Sequence, residues 1–259
     1  MTDTPMVTLS IVIPAYNEAE RLPPTLTAIA AYLGSTGLDA EVIVVDDGSS
    51  DGTAEAARNA TGVAMPPQVL RHEQNRGKGA AVREGILAAE GEYILFMDAD
   101  SSLPIEEVAK LLPVAEAGTP VVIGSRYVDP DSIHEAQRWY RAAISRFGNY
   151  LVQRLLLPGI SDTQCGFKLL RREVGRQLAS LLTVDRFSFD MELLVDAKQL
   201  GLEVREVPVN CYYSHGTRLR PVWSSLQTFR DLLRIRSKLR RGAVAGQATP
   251  VLSAGRRSE

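Results

Sequence analysis

Cysteine is scarce: Cys165 and Cys211 are the only two among 259 residues, and no CxxC spacing occurs. That excludes a disulfide framework, points to a reducing compartment and leaves both as packing residues. Long apolar runs are missing too. Nowhere do about 18 uncharged apolar residues follow one another, the length a spanning helix needs, and the opening MTDTPMVTLS has no basic start or long apolar stretch. Neither a membrane span nor a standard export signal is expected. The formal net charge is only -2, so no nucleic-acid partner is expected. GxGxxG and GxxxxGK(S/T) are both absent, which weakens dinucleotide-site and P-loop readings. His72 and His134 show no metal-ligand spacing, and no internal repeat is visible.

What is present, 45% hydrophobic and 23% charged residues, suffices for one well-buried α/β domain with a terminal appendage. Leu9 to Pro14 and Glu41 to Val45 read as buried strands around a helix from Thr25 to Leu33, a βαβ opening. Further strands at 69–70, 93–97 and 121–123, separated by helices at about 52–60, 78–90 and 104–117, predict a doubly wound, mostly parallel sheet. A helix near Phe189 to Gln199 and a strand at Val204 to Val207 complete it. Ligands should gather at the carboxyl ends of the strands.

Asp98-Ala99-Asp100 ends the apolar run Tyr93 to Met97 and puts two carboxylates where a strand opens into a loop. Mg²⁺ takes one or two carboxylates and fills its other positions with water and substrate phosphate oxygens. In isolation, turn formation or helix capping explains such a pair as well. The loop Asp46-Asp47-Gly48-Ser49-Ser50-Asp51-Gly52 adds groups that hydrogen-bond a base and ribose, with Asp51 also expected to cap the next helix. Asn75-Arg76-Gly77-Lys78-Gly79 precedes another helix, whose free N–H groups and dipole, with Lys78, favour an anion.

PAYNE at 14–18, VDDGSSDGT at 45–53, NRGKGAA at 75–81 and MDAD at 97–100, in this order and spacing, resemble the inverting family 2 glycosyltransferases of GT-A fold. GSR at 124–126, SDTQCGFKLL at 161–170, FSFDMELL at 187–194 and PVWSSLQTFRDLLRIR at 221–236 are similar to its dolichyl-phosphate β-glucosyltransferase branch. The resemblance spans about residues 8–241. It implies transfer of glucose from UDP-glucose to the phosphate of a long polyprenol, with Mg²⁺ or Mn²⁺, on the cytosolic face of a membrane. It also implies that Pro14, Tyr16, Glu18 and Asp47 hold the uridine end with Asp46 in support, while Asp98 and Asp100 bind metal and diphosphate. Arg218, where the family tends to carry a Gly-Ser-Lys loop, is implied to contact diphosphate.

A phosphate monoester is already mostly anionic near pH 7. The acceptor therefore needs positioning more than a general base, and in-line displacement without a covalent intermediate is expected. Arginine's planar fork suits such a phosphate. Arg126 after a strand end, and Arg141 with Ser145 four apart on one helix face, form the expected clamp; surface salt bridges are the competing account of the two arginines. Asp162 and Gln164, in the segment most like that branch, are expected to orient sugar or metal. Asp190 or Glu192 would reach the sugar hydroxyls, or else pair with a helix dipole.

Basic residues crowd the chain after His215. Val222, Leu226, Phe229 and Leu233 recur at helical spacing, with Trp223 first and Arg230, Arg234, Arg236, Lys238, Arg240 and Arg241 around them. That is the composition of a helix lying on an anionic membrane. A second interfacial helix is expected over about 138–157, with Trp139, Tyr140, Phe147 and Leu155 to Leu157. The expected organisation is a catalytic domain over 1–215, a basic amphipathic membrane-surface segment over 216–241 and a disordered tail over 242–259. The competing account packs both helices on their own domain. Eukaryotic enzymes of this type carry an N-terminal anchor that is not seen here, which leaves peripheral binding or a membrane partner subunit as the route to lipid. Three alternatives stay open: GDP-mannose or another sugar nucleotide as donor, a soluble acceptor, and a non-catalytic nucleotide-sugar-binding subunit.

Overall fold

Strands whose side chains are apolar on both faces must be covered on both, and the computed structural model shows how. It describes residues 7–60, 66–129, 152–212 and 230–239. Strands β1 (Leu9–Ala15), β2 (Ala40–Asp46), β3 (Gln68–Arg71), β4 (Tyr93–Met97), β5 (Val121–Ser125), β6 (Phe167–Arg171) and β7 (Val204–Pro208) form one sheet in the order β3-β2-β1-β4-β6-β5-β7. Among the described residues the helices are α1 (Leu22–Thr36), α2 (Thr53–Arg58), α3 (Lys78–Ala88), α4 (Val108–Glu116, entered through a 3₁₀ turn at Ile105–Glu107), α5 (Arg172–Leu181), α6 (Phe189–Gln199) and α7 (230–239), besides a helical stretch at 152–155.

Period-two alternation divides the core. Leu9, Ile11 and Ile13 of β1 and Leu95 and Met97 of β4 face α1 and α4, against Leu26, Ile29, Val108 and Leu111. Val12, Ile94 and Phe96 face the other layer, against Ile86 of α3, Val174 and Leu178 of α5 and Leu193 of α6. Each fully buried side chain of this kind contributes about 1.5–3 kcal/mol, so both faces are strongly specified.

The parallel doubly wound expectation holds for β1 with β2 and β4, for β2 with β3 and for β5 with β7. β6 was not anticipated as a strand. It runs antiparallel between β4 and β5, a short run interrupted by a lysine that gave no clear period. Because β4 and β5 both oppose β6, they run in the same direction and end on the same rim. The two ends stand about 10 Å apart across one intervening strand.

Two sequence expectations about lipid-facing helices are corrected within the described residues. Leu156 and Leu157, read as interfacial, are buried in the domain core with Val152, while Leu155 is exposed. In α7, Leu232 and Ile235 are buried against the same core, which leaves Leu233, assigned to the apolar stripe, 50% exposed on the outward side. Lys238 is not a solvated basic residue: it donates to Glu192 and Asp196 at 2.7 Å each and to the Leu181 carbonyl at 2.9 Å. Leu156, Leu157 and Lys238 turn inward because burying apolar surface and pairing buried carboxylates outweigh what spacing alone suggests. Residues 138–151, 222–229 and 242–259 lie outside the described residues.

Candidate active site

The loops after β1 and β2 are stitched together by their short polar side chains. Asn17, in left-handed backbone at φ 56°, donates its N–H to Ser49 Oγ at 2.9 Å and accepts the Ser50 N–H at 3.0 Å. Glu18 N–H donates to Thr53 Oγ1, and Ala19 N–H to Asp51. Burial alone would raise the Asp51 carboxyl, but the Thr53 hydroxyl and the N–H groups of Ala19 and Thr53 hold it below the usual range. Asp51 also accepts the Thr53 N–H, so it closes the start of α2 although Gly52 takes the cap position itself.

Of the residues read as uridine-binding, Pro14 is buried in β1 and Tyr16 is 48% exposed at its mouth. Glu18 is engaged bidentately by Arg21, at 2.6 and 2.5 Å, and Arg21 reaches to 3.8 Å from Asp100. Asp46 is fully buried, accepting the Ser49 N–H and facing Arg71 Nε at 3.2 Å. Asp47 braces a neighbouring loop: its oxygens accept the N–H groups of Arg76 and Gly77 at 2.8 and 2.7 Å. His72, itself buried, lies between Asp47 at 2.6 Å and Glu84 at 2.7 Å. Gly77 has φ 111°, and any side chain there would collide with the Asp185 carbonyl. The turn before Lys78 is thereby fixed from both sides.

Lys78, the first residue of α3, places Nζ 2.5 Å from Asp98 Oδ1. Burial would lower its pKa, yet Asp98, Asp190 and Asp100 together raise it, so the ammonium is retained. Asp100 accepts the Ser102 N–H at 3.0 Å. Gly166, just before β6, leaves room for Asp98: a Cβ there would strike the carboxylate. Beneath this pair, fully buried Lys168 donates to Asp190 and to the Cys165 carbonyl, both at 2.5 Å. Asp190 therefore pairs with Lys168, and its burial pushes its carboxyl pKa up. Glu192 turns away, accepting from Thr183, Val184 and Lys238.

At the end of β5, Arg126 and Asp162 form a two-pronged pair, Nε to Oδ2 at 2.7 Å and Nη2 to Oδ1 at 3.0 Å, and the Arg126 N–H adds a third bond at 3.0 Å. Burial would raise Asp162; the Arg126 charge and hydrogen bonds hold it below the usual range. The sequence reading aimed Asp162 at sugar or metal, whereas here it orients Arg126. Gln164 is exposed on the same turn, and Cys165 is buried, which raises its thiol pKa. Arg141, Ser145, Arg218, His134 and His215 lie outside the described residues.

The profile described as "Glycosyl transferase family 2" matches residues 10–178, more than half of the chain and all the loops above except the α6 side. The chain belongs to glycosyl transferase family 2. Within that family it is 39% identical over 249 residues to a dolichyl-phosphate β-glucosyltransferase of Drosophila melanogaster, covering 91% of this chain and 76% of the relative. It is likewise 39% identical over 256 residues to the Homo sapiens protein of that name, covering 93% and 78%. The fold matches glucosyl-3-phosphoglycerate synthase of Mycobacterium tuberculosis, a structure with Mn²⁺, UDP-glucose and phosphoglyceric acid, at TM-score 0.70 and 22% identity over 89% of this chain and 80% of that one. This family 2 chain is a glycosyltransferase with a GT-A fold.

Among the described residues no group of three or more histidine, cysteine or acidic side chains is placed to enclose a metal. Asp98 and Asp100 nonetheless fit a divalent ion of the kind that keeps water and substrate phosphate in its shell. Sequence reasoning missed Arg21, His72, Lys168 and Gly166. Lys168 did leave a signal, a charge in the middle of the apolar run Phe167 to Leu170; His72 left none, because its two carboxylate partners come from distant elements.

Proposed function

We propose that this glycosyltransferase moves glucose from UDP-glucose to the phosphate of a polyprenol of the dolichyl type, inverting the anomeric carbon. The observation that carries this reading is the acidic pair Asp98 and Asp100 at the mouth of β4 with Lys78 2.5 Å from Asp98. Carboxylates for a divalent ion and a cation for a diphosphate meet there at one point of the rim. Relatives named dolichyl-phosphate β-glucosyltransferase support the sugar and the acceptor class.

Asp98 and Asp100 would hold Mg²⁺ or Mn²⁺, whose chemistry when bound is Lewis-acid neutralisation of the departing diphosphate. Pro14, Tyr16 and Glu18 hold the uridine end, Asp46 and Asp47 fix the loops around it, and Lys78, with Arg218, takes diphosphate charge. On the acceptor side Arg126, oriented by Asp162, grips the lipid phosphate with Arg141 and Ser145, and Gln164 serves the sugar. A phosphate oxygen, already anionic, attacks the anomeric carbon as the bond to UDP breaks on the opposite face. The protein supplies orientation and fixed charge. No helix among the described residues is long and apolar enough to cross a membrane. The outward side of α7, where Arg230, Leu233 and Arg234 are exposed, is the proposed contact with an anionic cytosolic lipid surface.

Nucleotide release tests the reading. UDP should be released from UDP-glucose only when polyprenyl phosphate is present, and GDP-mannose should give none. Release driven by GDP-mannose alone would move the chain to another donor, and release with 3-phosphoglycerate but not with polyprenyl phosphate would replace the lipid acceptor with a soluble one.

A further inference from the structure

The turn that carries Asp162 to Arg126 is itself held by a residue no motif singled out. Two successive backbone N–H groups, those of Ser161 and Asp162, donate to the two oxygens of Glu206 at 2.7 and 2.9 Å. Glu206 lies on β7, in register with Ile123 of β5, three residues before Arg126. Its neighbour Arg205 bonds Glu203 at 2.7 Å. The Ser161 carbonyl accepts from Gln153 at 3.2 Å, so the turn is gripped on both its donor and acceptor sides. From Asp162 three bonds run on to Arg126, one to its backbone and two to its guanidinium. A carboxylate that accepts two adjacent backbone N–H groups fixes both the position and the tilt of a turn.

We propose that Glu206 is a positioning residue for acceptor binding, acting through the 161–162 turn and Asp162 to fix the guanidinium of Arg126. It touches no substrate. The proposal rests on the reading of Arg126 as the acceptor clamp. Without Glu206 the turn loses its charged acceptor, Asp162 shifts, and Arg126 shifts with it.

The test is steady-state glucose transfer by the full chain with UDP-glucose and polyprenyl phosphate varied separately, for wild type, Glu206→Gln, Arg126→Ala and the double variant. Glu206→Gln should raise KM for polyprenyl phosphate about 10-fold, within the range that misplacing a binding group costs, and leave KM for UDP-glucose within about twofold. In the Arg126→Ala background it should add nothing, because its effect passes through Arg126. An equal rise in both KM values, or an effect that multiplies with Arg126→Ala, overturns the role of Glu206. Arg126→Ala that leaves the acceptor KM unchanged overturns the clamp reading itself, independently of Glu206. Should Glu206→Gln not fold, Glu206→Asp, which keeps the charge on a shorter arm, must show the same acceptor-only shift or the proposal fails.

Discussion

Lys78 and Asp98 meet at 2.5 Å across the rim of the sheet, joining the first residue of α3 to the first residue beyond β4. Lys78 faces Asp98, buried Lys168 bonds Asp190 and Arg21 lies 3.8 Å from Asp100, so at the mouth of β4 three cations face three carboxylates. Such a cluster can admit a cation or an anion without leaving a buried charge unpaired.

Asp100→Asn removes one charge from the acidic pair at nearly constant shape. Turnover should fall about 100-fold or more, the scale of a preorganised charge in a transition state. The melting temperature should stay within about 4 °C, because the Asp100 side chain is 28% exposed and its described contacts are a local bond from the Ser102 N–H and a long 3.8 Å ion pair with Arg21. A transfer assay beside a thermal melt reads both, and activity near wild type would contradict the assignment.

Arg126 and Asp162 predict a pH effect with a definite sign. The folded Asp162 carboxyl lies below its unfolded value of about 3.9. Its pairing therefore contributes fully above that value and is lost as pH falls through the lower folded one. The difference in unfolding free energy between wild type and Asp162→Asn should be flat from about pH 5 to 7 and shrink below about pH 4. Urea titrations across that range measure it; a difference that grew on acidification would contradict the pairing.

Lys168 is fully buried, bonded to Asp190 and 5.3 Å from the centre of the Phe96 ring. Lys168→Met strands the Asp190 carboxylate and should cost about 3–5 kcal/mol in urea unfolding. Adding Asp190→Asn should recover part of that loss, since no uncompensated charge remains. Additive losses would mean the two do not act as a pair.

α7 is pinned by Lys238 to Glu192 and Asp196. Lys238→Met should speed amide exchange across 230–239 and leave β1 and β4 protected, because the anchor is local to one face. Uniform acceleration through the sheet would show instead that α7 is integral to the global fold.

The strands β1, β2, β4 and β5 were legible because uninterrupted apolar runs bounded by turn residues can only be buried strands here, and the acidic and glycine-rich loops at their carboxyl ends marked the rim. β6 was hidden by Lys168, whose burial depends on Asp190, a partner 22 residues on. Charged residues read as ligand-facing became supports for the same reason. Asp162 serves Arg126, and Asp47 serves the turn before Lys78, because spacing along a chain reports which elements meet but not which carboxylate faces which donor. In α7 the stripe through Leu233 and the one through Leu232 and Ile235 fit helical spacing equally well, and only packing chose between them.

The most direct measurement is mass spectrometry of the organic phase after the full chain is incubated with UDP-glucose, polyprenyl phosphate and Mg²⁺. The account predicts a hexosyl-phosphoryl polyprenol, formed by wild type, lost with EDTA and lost in Asp100→Asn. Glucose recovered only in the aqueous phase, or a lipid product that forms equally well in Asp100→Asn, would contradict it.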